Sequence, residues 1–517
     1  MVDLTRTIPG VAIAAAERWP DKTAIIDGDT TLTFCGLAEQ SRRAARAFIA
    51  AGLQPGERFA IWAPNIHEWI WMAIGGQMAG GVLVPINTRY KGVEAGDILR
   101  RSNCKLLFTV TGFLDTNYPA LLVEESLPEL AQTVLMRGQD KTCQSLDHFL
   151  AHAVDISEAT LASRLQKLAS TDVSDVMYTS GTTGAPKGVM STHGQVVAIF
   201  DAWSEAVGLT ESDRYLIVNP FFHTFGYKSG WLTCLLTGAT ALPEAVFDSG
   251  RILHRIESDG ITMLPGAPTV FQSLLSHENL DSTNLSSLRC AVTGAASVPV
   301  QLVRDMKNVL GFDRVYTGYG LTECGVVSIC RDGDDFETIA NTAGRPINGI
   351  DVAVVDDDNQ PVDAGNTGYI KVRGFNVMLG YLDDPEATTD TISDDGWLDT
   401  GDIGWQNEAG YLKITDRAKD MYISGGFNCY PAEIEHLLLG HPAVSDVAVI
   451  GKANERMGEV GHAFVVRRAE VDADALSAWS RENMANYKVP RKFSFIDELP
   501  RNASSKVMKF LLRDAQD

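Results

Sequence analysis

The sequence predicts an α/β protein: a large N-terminal domain of layered, mostly parallel sheets covered by helices, then a small α+β C-terminal domain. Three observations predict it. At 517 residues the chain exceeds what a single hydrophobic core accommodates. Short apolar runs alternate with helical patterns, which is the β-α-β rhythm of a parallel sheet. Near Asp416 the texture changes to a charged strand end, a glycine-rich turn and a compact helix-and-strand set of roughly 100 residues.

The elements follow in order. Residues 36–51 place Leu37, Ala44, Phe48 and Ile49 near helical spacing, and Gly52 supplies a stop. "RFAIWAPN" (58–65) is an apolar run bounded by turn residues. "HEWIWMAIGGQMAG" (67–80) reads as a helix and "GVLVPIN" (81–87) as the next strand. Strand patterns recur at "DRYLIVNPF" (213–221), "ITMLPGAP" (261–268) and "SLRCAVTG" (287–294). The acidic clusters Asp332 to Glu337 and Asp356 to Asp358 lie among Gly, Asn and Pro and read as solvated loops. Pro431 opens a helix whose buried face is Ile434, Leu437 and Leu438. "SDVAVIG", "HAFVVRR", a helix around 473–485 and "KFSFID" complete the C-terminal part. No period of 20–50 residues marks a repeat architecture.

Composition narrows the partners. A net charge of −22 repels nucleic acid and anionic lipid, so any site for a polyanion must concentrate cations locally. No run approaches the ~18 apolar residues that span a membrane. The opening "MVDLTRTIPG" lacks a signal-peptide core, which makes a cytoplasmic location the expectation. Eight scattered cysteines without a C-x-x-C pair point to reduced thiols rather than a disulfide framework or structural zinc. Cys324 is expected to be a packing residue.

"YTSGTTGAPKGVM" (178–190) carries the first chemistry. Its glycines let backbone N–H groups turn toward an anion, and its hydroxyls add donors. A Walker loop needs Gly-Lys-Ser/Thr opening a helix. Here Lys187 is followed by Gly188, so no hydroxyl is set on magnesium in the Walker manner.

The whole string T-S-G-T-T-G-x-P-K-G resembles the signature of the adenylate-forming superfamily of acyl-CoA synthetases, adenylation domains and luciferases. More strings of that family follow in order. They are "FFHTFG" (221–226), "TGAAS" (293–297), "YGLTE" (319–323), "GYLDDPEAT" (380–388), "GWLDTGD" (396–402), "TDRAKDMY" (415–422), "YPAEIE" (430–435) and "LPRNASSK" (499–506). The resemblance covers nearly the whole chain. It implies a small β-barrel-like part within the large domain and a mobile C-terminal domain. It divides the chain into 1–417, holding ATP and the acyl pocket, and 418–517, carrying the adenylation lysine.

The implied reaction has two halves. A carboxylate attacks the α-phosphorus of ATP, giving an acyl-adenylate and pyrophosphate; the thiol of coenzyme A then displaces AMP. Both halves move negative charge between atoms, so positioned donors and cations carry the catalysis.

By resemblance, Thr179, Ser180, Gly181, Thr182, Thr183, Gly184 and Lys187 hold the departing phosphates. Tyr319 stacks on adenine between Gly318 and Gly320. Gly294, Ala295 and Ala296 present backbone to adenine and line the acyl tunnel. Thr322 donates to the α-phosphate, and Glu323 is the Mg2+ ligand, an oxygen donor that suits a hard cation. Asp402 accepts the ribose hydroxyls and Arg417 is a second ribose contact. His223 gates the carboxylate, while Phe222, Phe225 and Tyr227 wall the acyl pocket with Gly294 and Gly320.

Lys506 neutralises charge between the carboxylate and the α-phosphate. The residue before it is Ser505 where the family usually has glycine, which puts the speed of adenylation at issue rather than the reaction class. Lys419 is the hinge. Ser424, Gly425, Gly426 and Phe427 approach the pantetheine arm of coenzyme A.

Taken singly, several of these have plainer readings. His223 is a core histidine between aromatics, Asp402 a turn cap, Lys506 a solvated tail charge. The ordered strings outweigh them. "PINTRY" (85–90) and "NPFFHTFGYKSGWL" (219–232) resemble bacterial fatty-acid and steroid-degradation ligases, including those that activate an indane-propionate remnant. Lys228 either meets a ketone or second carboxylate in the tunnel or bridges the core.

Two other functions compete. One is an adenylation enzyme loading a carrier-protein thiol in trans, disfavoured because Lys506 to Asp517 holds no carrier domain. The other is an inactive nucleotide sensor, disfavoured by the presence of Lys506, Glu323 and Asp402. A homodimer is the expected assembly.

Overall fold

The computed structural model describes residues 6–179, 186–294, 298–417, 420–424, 427–454, 457–484, 486–501 and 506–514. They form two compact units. The first runs to Asp351 and includes Arg373–Gly396; the second takes Val352–Val372 and Trp397 onward. The expected α/β class is what forms.

The first unit is built on a nine-stranded sheet. Along it lie Gly380–Tyr381, Lys187–Thr192, Val173–Thr179, Val82–Pro85, Arg58–Trp62, Leu106–Phe113, Gln132–Arg137 and Gln144–Ser145, with Thr116–Asn117 on Leu106–Phe113. From Val173–Thr179 through Gln144–Ser145 the pairs are parallel. Strands such as Val82–Pro85 are buried at every residue, as parallel strands covered on both faces must be. The helix His67–Met78 is buried from Glu68 to Met78, so it reads as apolar all round rather than striped. Its glycines make that packing possible. A Cβ on Gly76 would lie 2.2 Å from the Phe59 ring, and one on Gly75 2.6 Å from the Ala44 methyl.

The other strands of this unit form two four-stranded sets, one from Thr23–Asp27, Thr30–Thr33, Arg214–Ile217 and Thr240–Pro243, the other from Cys290–Gly294, Arg314–Leu321, Gly325–Ile329 and Arg345–Pro346. Between them the expected strand at "ITMLPGAP" shrinks to one residue, Met263, which bridges in parallel to Tyr215 and Cys290. Pro265 has no N–H to extend the ladder toward Arg214–Ile217, although Gly266 N still donates to the Val292 carbonyl at 3.0 Å on the other side. The helix Phe34–Ala50 forms as read, with Leu37, Ala44 and Phe48 buried and Ile49 half-buried. The acidic clusters lie largely in turns, and Asp335 caps the helix Phe336–Asn341 by accepting from Thr338 N at 2.7 Å.

The second unit holds the barrel-like sheet, in the order Ile350–Val355, Gly368–Gly374, Leu398–Gln406, Leu412–Arg417. It also holds a five-stranded sheet of Phe427–Cys429, Tyr422–Ser424, Gly458–Arg467 and Val444–Asn454, with Lys492–Phe495 parallel to Gly458–Arg467. Strand alternation feeds two clusters. Val447 and Val449 pack with Ile434, Leu438 and Leu476, whereas Ala448 and Ile450 pack with Phe464, Leu499 and Leu512. The helix Pro431–Leu439 buries Ile434 and Leu438 fully and Leu437 partly. Asp416 caps it, accepting from Ala432 N at 2.7 Å. Among the described residues no helix is long and apolar enough to cross a membrane.

Candidate active site

The phosphate-loop string closes an antiparallel hairpin. Val173–Thr179 pairs with Lys187–Thr192 in the register Thr179↔Lys187, Gly188↔Tyr178, Val189↔Met177. Thr179 and Lys187 therefore face each other where the 180–186 connection begins and ends. Ser180, Gly181, Thr182, Thr183 and Gly184 lie outside the described residues. Arg101 braces the exit by donating to the Pro186 carbonyl and sitting 5.7 Å over the Tyr178 ring. Gly188 is sterically required: a Cβ there would meet Val176 at 2.9 Å and the Tyr178 ring at 3.1 Å.

The "GYGLTE" string ends one strand and turns into the next. Gly318 pairs in parallel with Gly294, which joins two predicted adenine-side glycines. Ala295 and Ala296 lie outside the described residues. Beyond Gly318 the strand pairs antiparallel with Gly325–Ile329, with an irregularity between Tyr319 and Gly320. A Cβ on Gly320 would stand 2.1 Å from the Gly325 carbonyl, so only glycine fits that approach. The turn carries Thr322 and Glu323, both half-buried, while Cys324 is buried at 1% exposure, as a packing residue should be.

Glu323 has a partner that its own string does not reveal. The Tyr381 hydroxyl donates to Glu323 Oε1 at 3.1 Å, and Lys187 Nζ sits 4.8 Å from the centre of the Tyr381 ring. The pair thus links the metal-ligand candidate to the phosphate-loop lysine. Burial and the adjacent carboxylate push the Tyr381 phenol well above its ordinary pKa, so it stays a hydrogen-bond donor.

His223 stands at the exposed start of a short helical turn, Thr224–Gly226, and its Nδ1 accepts from Phe225 N at 3.2 Å. The buried Asn65 braces the segment before it, donating to the Ile217 and Asn219 carbonyls at 3.1 and 2.9 Å and accepting from Phe221 N at 2.8 Å. Phe222 and Phe225 are half-buried, and Phe225 meets Trp203 edge-on at 6.5 Å. Tyr227 lies deeper. It is fully buried, stacked on Trp231 at 4.9 Å, and its hydroxyl accepts from Gln77 at 3.1 Å. Lys228 takes the core-bridging role: its Nζ reaches Asp175 Oδ1 at 2.8 Å and Ser191 Oγ at 3.1 Å.

In the second unit, Asp402 and Arg417 sit opposite each other on neighbouring antiparallel strands. Two candidate ribose contacts from separate strings thus share one rung. Asp402 is 3% exposed, and its N–H is held by Thr400 Oγ1 at 3.1 Å. Ser424 pairs with Phe427 across a two-strand turn, whose Gly425 and Gly426 lie outside the described residues, as does the hinge candidate Lys419. Lys506 is exposed beside the Arg501↔Val507 bridge; Ser505 is not described.

Within each unit these pairings bring family strings side by side, and the sequence profile of the AMP-binding enzyme family matches residues 13–382. The chain belongs to that family. A profile for the AMP-binding enzyme C-terminal domain matches residues 433–506. This AMP-binding enzyme is 48% identical over 523 residues to the 3-[(3aS,4S,7aS)-7a-methyl-1,5-dioxo-octahydro-1H-inden-4-yl]propanoyl:CoA ligase of Rhodococcus jostii (strain RHA1), covering 99% of each chain. It is 46% identical over 519 residues to the ligase of the same name from Mycobacterium tuberculosis (strain ATCC 25618 / H37Rv), covering 99% of this chain and 100% of the relative. Among solved structures it is similar to the anthranilate CoA ligase AuaEII in complex with anthranoyl-AMP, with a TM-score of 0.86, 27% identity, and coverage of 98% and 96% of the two chains. The acyl-CoA synthetase reading of the motifs stands; the carrier-loading and sensor readings are not favoured.

Sequence reasoning on this AMP-binding enzyme missed Tyr381, Asn65 and Asn376, whose Nδ2 donates to the Cys324 carbonyl at 2.9 Å, as members of the site's frame. Only Tyr381 left a signal, because it stands inside "GYLDDPEAT", a string noted for the family without a role for its tyrosine.

Proposed function

We propose that this chain joins coenzyme A to the propanoate side chain of a bicyclic, ketone-bearing acid of steroid-ring origin, through an acyl-adenylate and with release of AMP and pyrophosphate. One observation carries the substrate class: the 48% and 46% identities, over 99% of this chain, to two ligases named for the same indane-propanoyl group.

In the first half-reaction a carboxylate oxygen bonds to the α-phosphorus, the bond from that phosphorus to the bridging oxygen breaks, and pyrophosphate leaves. Lys187 and Thr179, opposed at the base of the phosphate-loop hairpin, hold the departing phosphates. Thr322 donates to the α-phosphate. Thr322 and Glu323 offer oxygen donors, the set a hard divalent cation takes, and Glu323 would hold Mg2+. When bound, the ion offsets phosphate charge. Asp402 and Arg417 take the ribose, a role supported by their shared rung. His223 gates the carboxylate, and Phe222 and Phe225 flank the acyl chain. Lys506 opposes the charge that builds at the α-phosphate, a contact whose loss costs ~3–4 kcal/mol in comparable sites.

In the second half-reaction the sulfur of coenzyme A bonds to the acyl carbon and AMP departs. Movement about Lys419 withdraws Lys506 and brings the Ser424–Phe427 turn toward the thiol. A domain boundary at 417/418, a homodimer and a cytoplasmic location belong to the same proposal.

The test has two arms. Mass-spectrometric screening of fatty, aryl and steroid-derived acids should give acyl-CoA products, with the indane-propanoate class fastest; exclusive turnover of straight-chain acids rejects the substrate class. Lys506→Ala should abolish ATP–pyrophosphate exchange while a supplied acyl-adenylate still reacts with coenzyme A. Equal loss of both halves would sink the role given to Lys506.

A further inference from the structure

Segment 376–382 is stitched to two parts of the nucleotide site at once. On one side Tyr381 pairs with Val189, Leu379 N donates to the Met190 carbonyl at 2.9 Å, and Leu382 N donates to the Gly188 carbonyl at 2.7 Å. Those residues belong to the strand that leaves the phosphate loop. On the other side Met378 N donates to the Glu323 carbonyl at 2.7 Å, and Asn376 Nδ2 donates to the Cys324 carbonyl at 2.9 Å. The segment is a clasp between the Lys187 strand and the Glu323 turn.

Tyr381 repeats that connection with its side chain. Its ring carries Lys187 on its face and its hydroxyl is bonded to Glu323. The residue has little freedom. It is 8% exposed, and its N–H donates to Thr388 Oγ1 at 2.9 Å, within the helix Pro385–Thr391.

We propose that Tyr381 is a positioning residue for MgATP, registering the Glu323 carboxylate and the Lys187 ammonium on one side chain. The proposal rests on the roles given above to Glu323 and Lys187. Its chemistry suits both tasks. A phenol donating to one carboxylate oxygen fixes the carboxylate plane and leaves the other oxygen for a cation. An aromatic face attracts an ammonium through its quadrupole but offers it no lone pair, so the positive charge stays available to phosphate. A carboxylate in the ring's place would neutralise the lysine instead.

Isothermal titration separates the two contacts and needs no turnover. Tyr381→Phe keeps the ring and loses the donor. It should weaken MgATP binding about ten-fold, the worth of one hydrogen bond to a charged group. AMP, which lacks the β- and γ-phosphates, should bind as before, and so should ATP in the presence of EDTA. Tyr381→Leu removes the ring as well. ATP should then bind about three- to ten-fold more weakly even without magnesium, with AMP still unaffected.

AMP binding also serves as the control for folding. Equal losses for AMP and MgATP would mean a merely structural tyrosine, and no loss for either would mean no role; each overturns the proposal. Glu323→Gln and Lys187→Ala are the references. If they leave MgATP binding unchanged, the reading of the site fails and Tyr381 falls with it. If they weaken it while the Tyr381 variants do not, only the tyrosine's role fails. A double variant, Glu323→Gln with Tyr381→Phe, should lose no more than Glu323→Gln alone; strict additivity would count against coupling.

Discussion

Lys228 Nζ lies 2.8 Å from Asp175 Oδ1, with 4% and 0% of the two side chains exposed. Ser191 Oγ is 3.1 Å from the same ammonium, and Ser174 Oγ donates to Asp175 Oδ2 at 2.7 Å. Asp175 and Ser191 sit on the two strands that flank the phosphate loop, and Lys228 sits five residues after His223. The ion pair therefore ties the predicted gate segment to the predicted nucleotide loop.

Removing one partner leaves the other charged and buried. Lys228→Met should destabilise the protein by about 3–5 kcal/mol, because the Asp175 carboxylate loses its counter-charge in a dry site. Adding Asp175→Asn should recover most of that loss. Chemical unfolding of the three proteins checks the ranking. A single Lys228→Met variant as stable as the parent would show that water or another cation compensates.

Gly320→Ala should hurt adenylation far more than folding. The added methyl meets the Gly325 carbonyl at 2.1 Å, and the strand must part just where it turns into Thr322 and Glu323. A displacement of about 1 Å there should lower the ATP–pyrophosphate exchange rate about a hundred-fold. Circular dichroism should change little. Unimpaired exchange would mean that the turn's position is not set by this close approach.

His193 predicts a pH dependence of stability. It opens the helix His193–Val207, is 1% exposed, and its Nδ1 accepts from Ile8 N at 3.4 Å. Burial pushes its pKa from the ordinary 6.5 down to about 3. Above pH 6.5 the imidazole is neutral in folded and unfolded chains alike, and its contribution is fully present. As the pH falls from 6.5 toward 3, the unfolded chain takes up a proton that the native site refuses. Stability should fall by about 1.4 kcal/mol per pH unit from this group alone. Between pH 7 and 4.5 the unfolding midpoint of the parent should fall more steeply than that of His193→Gln, and parallel profiles would show that the effect is absent.

The legible parts of the sequence were those whose physics is local. The helix Phe34–Ala50 and the strands around it follow from apolar spacing, and Gly52, at φ 89°, ends the helix as a glycine can. Several of the site's motifs were legible because the string carries its own steric demand, as Gly188 and Gly320 illustrate. What stayed hidden depends on pairing across distance. Nothing near Lys228 announces Asp175, so the lysine was open to a tunnel role and to a core one. The strand expected at Met263 failed because apolar content alone does not count donors, and Pro265 withholds one. Tyr381 was visible as a motif letter, but its contacts with Glu323 and Lys187 needed coordinates.

The hairpin that carries the phosphate loop has one more consequence. Lys187 begins a strand, and the next helix starts only at His193, its first turn already closed by Thr192 Oγ1 accepting from Gln195 N at 3.3 Å. Among the described residues, the segment that Lys187 opens is a strand and not a helix, so it presents no helix N-terminus and no fixed dipole to phosphate. In the role proposed for Lys187, the positive charge rides instead on a four-carbon stem that can change rotamer. An enzyme whose first step must end with pyrophosphate leaving gains from this choice. Charge on a side chain can be withdrawn, whereas a dipole built into a helix is permanent.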